Sequence, residues 1–186
     1  TAIKRCHSLI TKISGERIAM ELQSLAAGAK RIKGLKLFIE TGLAGEIFPI
    51  LKDKIDFGMK VFKYLPKETA FDLAVAGMFA GCESYQARKS LQILKLRSSK
   101  LKHIKFLLAK RDFLNSELSL AQLKMIVSQP YYEDLYAFQK AILKAHRKSP
   151  AKLNLIAKRA KLLAGSDLQP KPLLDGHEII ALGAKA

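Results

Sequence analysis

Tyr132-Glu133-Asp134-Leu135-Tyr136-Ala137-Phe138-Gln139-Lys140-Ala141-Ile142-Leu143-Lys144-Ala145-His146 decides the fold class. Leu135, Phe138, Ile142 and Ala145 recur at three- and four-residue spacing. That spacing places them on one face of an α-helix and the charged residues on the other. Pro130 stands before this segment and Pro150 after it, as helix punctuation does.

The same period extends in both directions. Toward the N-terminus, Ser119 is the expected cap of a helix over residues 120–128, and Ser98 or Ser99 of one over 100–114 with Leu101, Ile104 and Leu108 inward. Ser84 is the expected cap of a helix to Leu94. Residues 68–80 are so apolar that they read as the most buried helix. A further helix is expected over 57–65, and 43–51 reads as an apolar turn around Pro49. A helix over 32–41 would point Ile32, Leu35, Phe38 and Ile39 inward and stop at Gly42. Ser14 is the expected cap of a helix to Ala27 with Ile18, Leu22 and Leu25 inward and an Arg17–Glu21 pair, and residues 1–13 read as the end of an earlier helix. Toward the C-terminus, Pro150 fits the first turn of a helix to Leu163, and a short helix is expected over 176–182. No run alternates with period two, so the fold is expected to be all-α, an elongated array of helices without a sheet. Soft boundaries near Leu65-Pro66 and Gly165 divide it into residues 1–65, a helical body over 66–164, and a linker with a short tail helix over 165–186.

Charge narrows the function. Thirty-three Lys and Arg against 16 Asp and Glu give +17, which favours a polyanionic partner: nucleic acid first, an anionic membrane surface second. No apolar run approaches the ~20 residues of a membrane span, and no secretory leader opens the chain. Cys6 and Cys82 fit neither a metal motif nor a disulfide framework and read as free thiols of the cytoplasm. The start at Thr1 rather than Met reads as a piece of a longer polypeptide.

Catalytic patterns are missing. There is no phosphate-binding glycine loop, no HExxH, no GxSxG and no Asp-x-Asp pair to hold two metal ions. His7, His103, His146 and His177 are scattered and read as spectators. Binding residues are more legible. Lys95, Arg97, Lys100, Lys102 and Lys105 cluster around a helix start, whose free N–H groups favour phosphate. Lys140, Lys144, Arg147 and Lys148 form a second basic stretch, the core of a basic region that continues through Lys152, Lys158, Arg159 and Lys161. Such contacts read phosphate and shape rather than base sequence. Tyr131, Tyr132, Tyr136 and Phe138 could stack bases, although helical spacing favours the core for Tyr136 and Phe138.

Three stretches, in order, resemble bacterial tRNA nucleotidyltransferases and the related poly(A) polymerases. Ile13-Ser14-Gly15-Glu16-Arg17-Ile18 with Glu21-Leu22 resembles the neck motif of that family. Gly34-Leu35, Glu40-Thr41-Gly42-Leu43 and Phe48-Pro49 are similar to its next stretch, and residues 173–183 to its tail motif. The resemblance implies the helical neck, body and tail that lie along the acceptor stem and elbow of tRNA. It also implies an upstream catalytic head in the same parent chain, using Mg2+ and ATP or CTP. No cofactor is expected in this chain itself. The other reading of the sequence is a stand-alone RNA-binding or adaptor protein.

Overall fold

The computed structural model describes residues 2–163 and 181–183. The tail motif and the expected helix over 176–182 lie outside those residues, apart from 181–183. Among the described residues the protein is all-α.

The chain enters through α1 (Ala2–Cys6) and a 3-10 turn (His7–Lys12), then α2 (Gly15–Ala27), α3 (Arg31–Glu40) and α4 (Leu43–Ile47). Ser14 caps α2 through its hydroxyl, which accepts from the Arg17 N–H at 3.4 Å. The expected apolar turn at 43–51 is instead α4 followed by a 3-10 turn over Pro49–Leu51. Gly42 allows this: at φ +86° it ends α3 and starts α4, a conformation that costs other residues ~1–2 kcal/mol.

The centre is built from α5 (Ile55–Tyr64), α6 (Phe71–Met78), α8 (Ser98–Ala109) and α10 (Tyr132–Ala145). Every residue of α6 but Asp72 is buried, as expected for the most apolar segment. α5 lies very close to it. A Cβ on Gly58 would come 2.1 Å from the Met78 carbonyl oxygen, a contact with backbone that no side-chain movement relieves. Between α6 and α8, α7 (Ser84–Ser90) runs on into a 3-10 turn over Leu91–Leu94. Glu83, not Ser84, is its N-cap residue, and the Ser84 hydroxyl instead donates to the Leu108 carbonyl at 2.9 Å.

The C-terminal layer consists of a 3-10 turn (Phe113–Asn115), α9 (Leu120–Val127) and α11 (Ala151–Leu162). Ser119 and Gln122 cap α9 reciprocally, satisfying two N–H groups at its start. The hydrophobic core is continuous from Ile18 in α2 to Ala160 in α11 and crosses Leu65-Pro66 without a gap.

Several polar side chains tie the helices together. The buried Arg31 donates to the Leu65 carbonyl at 2.8 Å, and its guanidinium lies 5.4 Å over the Phe62 ring. Arg31 thus takes the inward position expected of Ile32, which is exposed. Gln139, fully buried in α10, accepts from the Leu114 N–H at 3.1 Å and donates to the Arg111 carbonyl. His103 is more than a spectator. Its Nδ1 is 3.2 Å from Asp72 Oδ2, its Nε2 is 3.2 Å from Asp134 Oδ2, and its ring stacks on Tyr131 at 4.2 Å. One imidazole therefore joins α6, α8 and α10.

Candidate nucleic-acid interface

The first basic stretch forms where the 91–94 turn meets α2. Gly15 makes the meeting possible: a Cβ there would lie 1.7 Å from the Ile93 carbonyl oxygen. The approach brings Glu16 Oε1 within 3.5 Å of Lys95 Nζ. It also brings Gln23 Oε1 within 3.1 Å of Lys100 Nζ, which sits 4.8 Å over the Phe71 ring. Lys100 therefore fastens α8 to α2 and α6 and is half-buried. The expected Arg17–Glu21 pair does not form; Glu16 is the α2 carboxylate that finds a cation.

Neither Ser98 nor Ser99 caps α8. Arg97 occupies the N-cap position and makes no side-chain cap, while Ser98 and Ser99 begin the first turn. Lys95, with a left-handed backbone at φ 46°, closes the preceding 3-10 turn before α8 begins. Arg97 and Lys102 are exposed, Lys105 is half-buried, and none of the three has a carboxylate partner. Arg111, further along the sequence, is spent elsewhere: it donates to the Ala80 carbonyl at 3.1 Å and to the Cys82 carbonyl.

The second basic stretch sits at the C-terminal end of α10. Lys140 lies 5.6 Å over the Tyr136 ring, while Lys144, Arg147 and Lys148 are exposed. The helix closes with paired bonds, Lys148 N–H to the Leu143 carbonyl at 2.8 Å and Arg147 N–H to the Lys144 carbonyl at 3.0 Å. In this closure the left-handed residue is usually glycine. Here it is Arg147, at φ 56°. Lys95 and Arg147 are the non-glycine residues with positive φ among the described residues, one in each basic stretch. Replacing Arg147 with glycine should therefore raise stability by about 1 kcal/mol and weaken RNA binding several-fold. Denaturant midpoints and a binding titration on one preparation check both halves.

No hydrogen bond or ion pair joins the two stretches to each other. Of the aromatics, Phe138 is fully buried, Tyr131 is stacked on His103, and Tyr136 is half-buried. Among the described residues no cluster of His, Cys, Asp or Glu could hold a metal ion, and no helix is long and apolar enough to cross a membrane.

Two features lay beyond the sequence reading. The N-terminal helices carry exposed cations of their own, Lys4, Arg5, Lys12, Lys30 and Lys33; the Lys30-Arg31-x-Lys33 run was their signal. An apolar groove of about 600 Å3 runs between α1, α2 and α3, lined by residues that include Ile3, Ile13, Leu22, Leu37 and Phe38.

Comparison with known families gives a match at the N-terminal end. Residues 1–55 fit a family described as "Probable RNA and SrmB- binding site of polymerase A". The match covers the neck motif and the stretch through Pro49, in agreement with the resemblance drawn from those residues, and spans under a third of the chain. No curated protein matches the chain. Over residues 1–55 the chain is thus similar to the RNA-binding region of polymerase A.

Proposed function

We propose that this chain holds structured RNA, tRNA foremost, so that its 3′ end reaches a nucleotide-adding head in the same cytoplasmic parent polypeptide. The head would supply catalysis with Mg2+ and ATP or CTP. The observation that carries the reading is the place where the matched segment meets the first basic stretch: Glu16 and Gln23, within residues 1–55, contact Lys95 and Lys100. The RNA-binding similarity and the basic stretch located by charge alone thus belong to one surface. Of the nine cations in the two basic stretches, six have no carboxylate or ring partner: Arg97, Lys102, Lys105, Lys144, Arg147 and Lys148.

Phosphate contacts release counterions, so affinity must fall steeply with salt. If these six cations each neutralise a phosphate, log affinity falls against log salt with a slope of about −5. Fluorescence anisotropy of full-length tRNA, from ~0.05 to ~0.2 M salt, should then show a loss near 10³-fold. Duplex DNA of equal charge should bind more weakly. Binding insensitive to salt would favour the helical-adaptor reading instead.

The apolar groove favours a second partner. It offers little to phosphate, and the matched family is described as a "Probable RNA and SrmB- binding site". We place an SrmB-like protein there. Leu37→Glu in the groove wall should abolish capture of purified SrmB without changing tRNA affinity. Equal capture by the variant would remove the groove from this role.

A further inference from the structure

A second cleft lies between α10 and α11. Lys140 stands over the Tyr136 ring at 5.6 Å, and Lys158 and Lys161 line the cleft from α11. Its volume is about 670 Å3, within the range of small-ligand sites. Tyr132 and Tyr136 supply its aromatic lining, Gln129 and Asn154 its amides, and Glu133 a carboxylate facing the two lysines' charge. The Tyr136 hydroxyl lies 2.9 Å from Asn154 Oδ1, which fixes both side chains and leaves the Asn154 amide nitrogen to donate elsewhere. Tyr132 is 8% exposed, and its hydroxyl has no hydrogen-bond partner. Buried polar groups are almost always satisfied, so the unpartnered hydroxyl of Tyr132 is an unmet bonding group in the wall of the cleft.

The chemistry selects the ligand. Aromatic rings and a free amide suit a flat, hydrogen-bonding group, and lysines at the rim suit an attached phosphate. A bare phosphate would use neither the rings nor the amide, and an apolar molecule would leave the polar groups unused. Bases paired inside a stem cannot enter, whereas unpaired ones can be stacked on aromatic side chains. We infer that the α10–α11 cleft holds one unpaired nucleotide of the bound RNA, its base against Tyr136 and Asn154 and its phosphate near Lys158 and Lys161. The inference rests on the proposed RNA-binding function and deepens it. The basic stretches hold the stem by shape, and the cleft adds a preference for RNA that presents a loop.

The test compares a stem-loop RNA with about seven unpaired nucleotides against a blunt duplex RNA of the same phosphate count, at ~0.1 M salt. Stacking of one base predicts a stem-loop preference of about 5- to 100-fold. Ala157→Phe fills the cleft, and Lys158→Glu changes an exposed side chain that folding does not need. Both variants should lose most of the preference, with duplex affinity for Ala157→Phe within about twofold of the parent. A preference retained in both variants, or absent from the parent chain, would overturn the cleft assignment while leaving RNA binding intact. Salt-insensitive binding of both RNAs would instead overturn the RNA reading and this inference with it.

Discussion

Replacing His103 with alanine is expected to lower the free energy of unfolding by about 3 kcal/mol at neutral pH, and the melting temperature by about 6–12 °C. The reason is the position of the ring. His103 stands between Asp72 of α6 and Asp134 of α10 at 3.2 Å from each, with its side chain 11% exposed. Burial by itself pushes its pKa down. The hydrogen-bonded and charged Asp134 and Asp72 outweigh burial and hold it at about 9, against an ordinary 6.5. Removing the imidazolium leaves two carboxylates with no cation between three helices, which costs more than the lost packing.

The same geometry fixes a pH dependence. A pKa raised on folding contributes stability that is complete below about pH 6.5 and is lost as pH rises through about 9. The full contribution is about 3 kcal/mol. The stability of the parent chain minus that of His103→Gln isolates it, because lysines and tyrosines titrate in both. That difference should be roughly constant from about pH 5.5 to 6.5 and nearly vanish by about pH 10. A difference that does not change across this range would mean that the histidine is held neutral and acts by packing alone.

Legibility in the sequence tracks the range of the forces involved. Helices α6 and α10 and the caps at Ser14 and Ser119 depend on neighbours three or four residues away, so periodicity and cap chemistry located them. Arg31 did not yield to that reasoning, because its acceptor is the Leu65 carbonyl, 34 residues on. Gln139 was equally hidden: a polar residue on an amphipathic helix reads as solvent-facing until the Leu114 N–H is seen to need it. The candidate interface shows the same division. Charge density alone located both basic stretches, but only the fold separates Lys100, tied to Gln23 and Phe71, from Lys102, which faces water. The α10–α11 cleft was half visible, since the tyrosines stood out and Asn154, the partner of Tyr136 on another helix, did not.

That division sets the second large expectation. Lys102→Glu with Lys105→Glu should weaken tRNA binding about 30- to 100-fold at ~0.1 M salt and reduce the salt slope by about 2. The two lysines are three apart on α8, and neither has a carboxylate partner. Each reversal therefore removes an attraction to phosphate and adds a repulsion, without breaking an ion pair in the free protein. Reversal of the exposed Lys102 should change stability by less than about 0.5 kcal/mol, as for surface substitutions away from packed groups, and that of the half-buried Lys105 by somewhat more. Lys100→Met is the contrast: it frees Gln23 and uncovers the Phe71 ring, so it should cost stability before it costs affinity. Arg147→Glu with Lys148→Glu then asks whether α10 belongs to the same footprint. If one RNA spans both stretches, the losses add on a logarithmic scale, because the residues share no contact that would couple them. If the α10 pair is silent while the α8 pair is not, the footprint is confined to the surface where α8 meets the N-terminal helices, and the cleft beside α11 lies outside it. Equal affinity for all variants would leave the excess positive charge of the chain as a property of its surface alone.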